Sequence, residues 1–426
     1  MILEFKLNKF AARLAVIAVA LVMCAFLVTV IISRFVIGTL SNDRLSVSRG
    51  MLATPVEYFP NSGRLNARLA EAELMASDRD LDRAEFHAVR AINLSPNNYL
   101  FHLILASIKE AKGDRAAAEE SLKAALALAP NDRNTHWRLA NVLLREGKLV
   151  ASLDEFRIAV AANPTLLPAT LDLIWRASRG NFEAIETITG SDPKSRLTLA
   201  QFLINKSRIA EASNVFRSVD RPARLAATES VTVITSLIGA GRADLARELW
   251  VSLVSEGDAE PRLIWNAGFE TDILKSFPQF DWTFGRSEYA RLSFDGGHAH
   301  TGARSLRVDF LGRDTTKMDD EIKQLVVLRP GARYRLECYA RSEALETPEG
   351  PRLVVTDNAT NWVAASEPVT AGSNDWKPLS VEFVAPKYNT SAASPVFISI
   401  KRKPRFSYDE PTRGAIWFDD FTIKEQ

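Results

Sequence analysis

Three prolines, Pro96, Pro130 and Pro164, fall 34 residues apart, and the same small and large side chains recur ahead of them. The segments "RAEFHAVRAINLSPNN" (83–98), "RAAAEESLKAALALAPND" (115–132) and "LVASLDEFRIAVAANPTL" (149–166) put Ala84, Ala118 and Ser152 at one position. Leu122 and Phe156 share a second, and Ala91, Ala125 and Ala159 a third. Small residues at helical spacing let two helices approach closely, and the proline ends the helix because it has no N–H to donate. Leu105 with Ala106 and Leu139 with Ala140 mark a preceding helix, and Gly113 and Gly147 mark the turns. A second register, Leu199, Ala200, Ala212 and Phe216, returns 34 residues later as Val233, Ile234, Ala246 and Trp250. Five helix-turn-helix units are readable. Between the two registers, roughly 167–192, "LDLIWRASRGNFEAIETI" keeps helical spacing but loses the proline phase, and reads as a shortened hairpin.

This pattern, over about 60–255, resembles the tetratricopeptide repeat. The resemblance implies an α-solenoid in which the first helix of each pair lines a partner-binding face. In the third unit that helix presents Asn134, Trp137, Asn141 and Arg145, the expected protein-binding groove; the second unit adds Leu100, Leu103 and Ser107. Only Asn141 falls where carboxylate-gripping members of the family place an asparagine, so capture of a peptide C-terminus is not implied.

From Leu14 to Ser33, "LAVIAVALVMCAFLVTVIIS" runs 20 residues without a charge, the length a helix needs to cross a bilayer's hydrocarbon core. Lys6, Lys9 and Arg13 precede it against Glu4, while Arg34, Arg44 and Arg49 follow with Asp43. The asymmetry puts residues 1–13 in the cytoplasm, a transmembrane helix at 14–36, a tether at 37–61, and the bulk outside, as for a bacterial inner-membrane protein facing the periplasm. A cleaved signal fits less well, because the run is long and closes on Arg34, Phe35 and Val36 instead of a small-x-small site. Cys24 follows Val22 and Met23, not the small residues of a lipoprotein signal. With 53 Lys plus Arg against 52 Asp plus Glu, the charge balance gives no case for a nucleic-acid binder.

At "LIWNAGFETD" (263–272) the helical period stops. Leu306, Val308 and Phe310 alternate with Ser305, Arg307 and Asp309, and Tyr334, Leu336 and Cys338 alternate with Arg335, Glu337 and Tyr339, as in half-buried antiparallel strands. Eight or nine such strands with turn signals between them predict a β-sandwich over 259–426, after a solenoid at 62–258. The expected fold is thus multidomain α and β: transmembrane helix, α-solenoid, C-terminal antiparallel sandwich. "NAGFE", "GARSLRV", "LRPGARYRLECYARSE", "NDWKPLSVEFVAP" and "IWFDDFTI", in that order, resemble the jelly-roll carbohydrate-binding modules found beside bacterial glycoside hydrolases.

The resemblance implies glycan contact through exposed aromatics that stack on sugar rings. Candidates are Trp282, Tyr289, Trp362 and Trp376, with Trp362 in a loop-like stretch as the best platform; at Trp282 and Trp376 related modules usually keep a packing residue. It also implies a structural calcium ion near the chain ends, with Glu270 and Asp420 matching the acidic positions and Asp295 as a further ligand. Strand alternation should send Asp419 and Asp420 to opposite faces. The alternative, in which Glu270 and Asp420 hydrogen-bond strand ends or pair with Arg304, stays open. "HAH" (298–300) reads as a solvated loop, "KRKPRF" (401–406) as a charged loop after an edge strand, and Asp319, Asp320 and Glu321 as a charged turn. No Walker-type loop or nucleophile elbow is present in the sequence.

These features predict a non-enzymatic extracytoplasmic adaptor that binds a protein partner and polysaccharide, or a scaffold without sugar affinity. A reporter fused after residue 60 should be active only outside the cytoplasm, and the chain should stay with membranes through carbonate extraction. A shortened, soluble product would reveal a cleaved signal.

Overall fold

The computed structural model describes residues 10–40, 48–255, 262–313, 317–357, 362–388, 393–406 and 408–426, with Trp362 placed by its backbone alone. The chain divides into two compact units, 1–190 and 191–426.

In the first unit, α1 (Phe10–Leu40) holds the apolar run, and its Arg13–Leu40 stretch is long and apolar enough to cross a membrane. Leu21, Val22, Phe26 and Ile31 stand exposed along it. Its last turn is packed: Ile37 and Leu40 meet Leu52 and Val56 of α2 (Arg49–Tyr58) and Leu65 and Leu69 of α3 (Gly63–Met75). The segment expected as a tether is therefore structured at both ends. Residues 37–40 finish α1 and 49–58 form α2, because Leu52 and Val56, four apart, give that short helix an apolar stripe to bury. Residues 41–47 lie outside the described residues.

Helical pairs follow: α3 with α4 (Leu81–Leu94), α5 (Tyr99–Ala111) with α6 (Arg115–Leu128), and α7 (Arg133–Arg145) with α8 (Leu149–Ala162). The shortened hairpin is α9 (Leu167–Ala177) with α10 (Phe182–Thr189). Gly113 and Gly147 turn the chain at φ of 79° and 78°, a left-handed conformation that favours glycine. Asp80, Asn98, Asp114 and Asp132 each accept a backbone N–H at a helix start. The recurring small residues, Ala84, Ala118, Ser152, Ala91, Ala125 and Ala159, are fully buried at helix contacts, with Leu122 and Phe156 filling the space between.

The second unit begins with α11 (Pro193–Asn205), α12 (Ile209–Ser218), α13 (Arg221–Ala226), α14 (Thr228–Gly239) and α15 (Ala243–Val254). Ten strands follow: β1 (Thr283–Phe284), β2 (Ala290–Asp295), β3 (Ser305–Leu311), β4 (Ile322–Leu328), β5 (Arg333–Glu346), β6 (Arg352–Asp357), β7 (Trp362–Ala365), β8 (Gly372–Val384), β9 (Ser394–Lys401) and β10 (Arg413–Glu425). They form two antiparallel sheets, β1-β4-β9-β6-β7 and β2-β3-β10-β5-β8. Leu306, Val308, Leu336, Cys338, Ile416 and Phe418 of one sheet share a core with Val326, Leu353, Val355, Val396, Ile398 and Ile400 of the other. Within it the Cys338 thiol is held far above its ordinary pKa by burial, so it is an inert packing group.

The junction expected at 258/259 lies outside the described residues, and the compact division falls earlier, inside the helical part. Its cause is Trp250 of α15. The side chain is fully buried, its indole N–H donates to the Phe277 carbonyl at 3.0 Å, and its ring meets Trp265 edge-on at 5.0 Å and Phe280 at 5.7 Å. Arg247, one turn earlier, lies over both Trp250 and Phe280 and donates to the Arg262 carbonyl. The last hairpin and the sandwich therefore share one aromatic seam. Trp250→Ala should lower the stability of the full chain by about 3–5 kcal/mol. It should also split unfolding of α14–α15 from unfolding of the sheets, read by far- and near-ultraviolet circular dichroism in denaturant.

Candidate functional site

The outer face of the β2-β3-β10-β5-β8 sheet gathers a dense set of polar and aromatic side chains. Register places Trp417 of β10 between Arg307 of β3 and Arg341 of β5, and Ala415 between Asp309 and Glu343 one pleat away. The Trp417 ring is covered: the Arg307 and Arg341 guanidiniums lie 5.1 and 5.9 Å from it, and the His298 ring packs at 4.8 Å. Its indole N–H donates to Asp295 at 2.7 Å. Beside this row, His300 stacks on Tyr339 at 3.8 Å and 12°, and Trp376 of β8 meets the same imidazole edge-on at 5.6 Å. Tyr339, His300 and Trp376 are half-buried, so this cluster presents ring surface to solvent.

The four sequence-predicted aromatics do not form one strip. Trp282 is fully buried and packs on Phe269 and Phe421, with its N–H on the Asn266 carbonyl; it is core, because the "NAGFE" segment folds over it. Tyr289 sits at the start of β2, in a charged hollow of about 370 Å³ with Arg286, Lys317 and Asp320, a strand length from Asp295. The side chain of Trp362 lies outside the described residues. Of the three with described side chains, Trp376 joins the ring cluster. The two histidines read as loop residues are instead built into the face, and the basic run is neutralised where it stands: Lys401 and Lys403 meet Asp319, Arg405 meets Glu349, and Arg402 is buried.

Glu270, Asp419 and Asp420 converge on the loop before β3. A bulge in β10, with Asp420 at φ 51°, breaks the alternation that should have parted the two aspartates. Asp419 accepts the His300 N–H at 2.8 Å; Asp420 meets His300 Nδ1 at 2.6 Å and accepts the Thr301 hydroxyl at 2.7 Å. Glu270 accepts the N–H groups of Ala303 and Arg304 at 3.0 and 3.4 Å, close enough to Gly302 that a Cβ there would strike its carboxylate. Asp295 is elsewhere, committed to Trp417, His298 and the Gly297 N–H. Among the described residues no three histidine, cysteine, aspartate or glutamate side chains gather as a metal cluster. These oxygens accept N–H and O–H donors, so the three carboxylates form a hydrogen-bonded clasp around the loop.

Asp295 and Asp419 are shifted in opposite directions. Burial pushes Asp295 up, but hydrogen bonds from Gly297, Trp417 and His298 outweigh it and bring it down to about 2, from the usual 3.8. Its stabilising contribution is present above pH 3.8 and is lost as pH falls toward 2. Asp419 is pushed up to about 6 by burial first and by the Asp420 charge, against the amides of His300 and Asp420. It favours the fold most below 3.8 and loses that contribution as pH rises through about 6.

In the first unit, the first helices of three successive hairpins line a groove of about 510 Å³. Leu100, Leu103 and Ser107 lie in its lining, as the repeat phase predicts, together with residues of α3 and with Arg138. Of the expected third-unit set, Asn134 and Arg145 are exposed, Trp137 packs edge-on against Phe156 at 5.1 Å, and Asn141 turns back to donate to the Trp137 carbonyl at 2.8 Å. None of these four lines the groove. Arg138, which sequence reasoning missed, donates to the Leu103 carbonyl and Ser107 hydroxyl and pairs with Glu110.

No family model and no curated protein matches the chain. Among solved structures it is similar to "MamA 41-end from Desulfovibrio magneticus RS-1", at 16% identity over 40% of this chain and 81% of that one, TM-score 0.27. It is similar to TTC0263, a thermophilic TPR protein in Thermus thermophilus, at 27% identity over 31% and 70%, TM-score 0.26. A third is the CBM22-1–GH10 part of Clostridium thermocellum xylanase 10B complexed with xylohexaose, at 20% identity over 34% and 26%, TM-score 0.23. These are local likenesses.

Glu270→Gln should weaken the clasp by about 1–2 kcal/mol, since two amides lose a charged acceptor. Melting full-length protein in calcium and in chelator tests the calcium expectation: a drop on chelation that Glu270→Gln erases places an ion at the clasp, and identical curves remove it.

Proposed function

We propose that the protein is a membrane-anchored, extracytoplasmic, non-enzymatic adaptor whose solenoid holds a protein partner and whose sandwich, read as a jelly roll of the carbohydrate-binding kind, contacts glycan in bacterial cell-envelope or exopolysaccharide assembly. The observation that carries the glycan part is the Tyr339–His300–Trp376 cluster beside Arg341 on one open sheet face. Half-exposed rings offer apolar surface to the C–H face of a sugar, and Arg341 and Glu343 farther along β5 offer a donor and an acceptor to its hydroxyls. The anchor rests on α1, whose exposed apolar side chains suit lipid better than water.

One observation favours the scaffold reading instead. Trp417, the outward ring of the central strand of the sheet, is closed off by Arg307, Arg341 and His298, so among the described residues the face offers a small cluster and no continuous aromatic strip. A glycan array probed with full-length protein in nanodiscs separates the two. Retention of one glycan class, reduced at least tenfold by Tyr339→Ala with Trp376→Ala, is the expected result; no retention leaves the protein as a scaffold without sugar affinity.

A further inference from the structure

The groove of the first unit differs in chemistry from the third-unit surface that the repeat phase selects. Its floor is apolar, with Leu74, Leu103 and Ile104 half-buried and Leu100 and Met75 exposed at its edges. Its charged lining is three arginines, Arg64, Arg68 and Arg138, against one carboxylate, Glu71. Glu71 is held by Arg68 at 2.6 Å, and Arg138 is committed to Ser107 and Glu110. Arg64 is exposed and, among the described residues, has no ion-pair partner. The groove therefore carries an uncompensated guanidinium beside exposed aliphatic side chains.

We infer that this groove takes a short segment of a protein partner in which an aspartate or glutamate stands beside one or more large apolar side chains, with Arg64 receiving the carboxylate. The inference rests on the reading that the solenoid holds a protein partner, and narrows it to one groove and one chemistry. A carboxylate entering here meets a guanidinium without breaking an existing pair, while a lysine meets a surplus of positive charge. The apolar neighbours gain by covering Leu100 and Met75, which water otherwise solvates. The volume suits a few side chains of an extended segment.

Arg64→Glu tests this without endangering the fold. The residue is exposed at the second position of α3, where a negative side chain is favoured by the helix dipole. Full-length protein in phosphatidylcholine nanodiscs is used to select from a random octapeptide display library. Enrichment of peptides with Asp or Glu next to Leu, Ile, Phe or Met is expected, with affinity at least tenfold weaker for Arg64→Glu, which should select Lys- or Arg-bearing peptides instead. Trp137→Ala with Asn141→Ala should change affinity less than twofold. Selection of another peptide class, or acidic peptides indifferent to Arg64→Glu, overturns the inference while the protein-partner reading stands. Selection of nothing overturns both. Binding to phosphatidylglycerol vesicles that Arg64→Glu abolishes, with no peptide selected, assigns the groove to anionic lipid and likewise overturns it.

Discussion

Trp250 joins the two structural grammars of this chain. Its position in α15 repeats that of Phe216 one unit earlier, and Phe216 is an ordinary buried repeat residue. Trp250 keeps that role but is long enough to reach past the hairpin, where its N–H satisfies the Phe277 carbonyl and its ring edges receive Trp265 and Phe280. Without the indole, the Phe277 carbonyl would lose its partner and the segment leading into β1 would lose the surface it packs against. Arg247 seals the same seam. Desolvation pulls its guanidinium down to about 10, partly offset by the Asp281 charge, so it stays charged at neutral pH while lying over both rings. The sandwich is thus seated on the last hairpin as part of one compact unit.

The clasp end of the sandwich is organised by a backbone irregularity. The bulge at Asp420 turns two successive aspartates toward one loop, and that loop sets both imidazoles, His298 against Trp417 and His300 against Tyr339. Glu270 clips the loop from the other side, at Ala303 and Arg304. The ring cluster offered for glycan contact is therefore only as fixed as the clasp beneath it, so packing and site geometry are coupled through three carboxylates. The first unit has its own counterpart: Glu73, fully buried, is reached by Arg49 of α2 and Arg83 of α4, tying the helix after the membrane-length segment to the first hairpin.

By itself the sequence determined much of the architecture. The 34-residue recurrence was enough to place helices, turns and buried small residues, because close packing between hairpins tolerates only Ala, Ser or Gly at those positions and the turns need Gly113 and Gly147. Period-two alternation was enough to sort Leu306, Val308, Leu336 and Cys338 inward. The face itself was not legible: which strands flank β10 depends on topology, so Arg307, Arg341 and Asp295 could not be assigned to Trp417 from their own segments. Asp420 defeated the alternation rule through one left-handed residue. Trp282 and Trp137 stand among the candidate contact residues in sequence, but Phe421 for one and Phe156 of the paired helix for the other occupy their ring surfaces. Where a pattern repeats locally, sequence decides; where a side chain's partner comes from another part of the chain, only the tertiary structure does, because burial and charge pairing are properties of proximity in space.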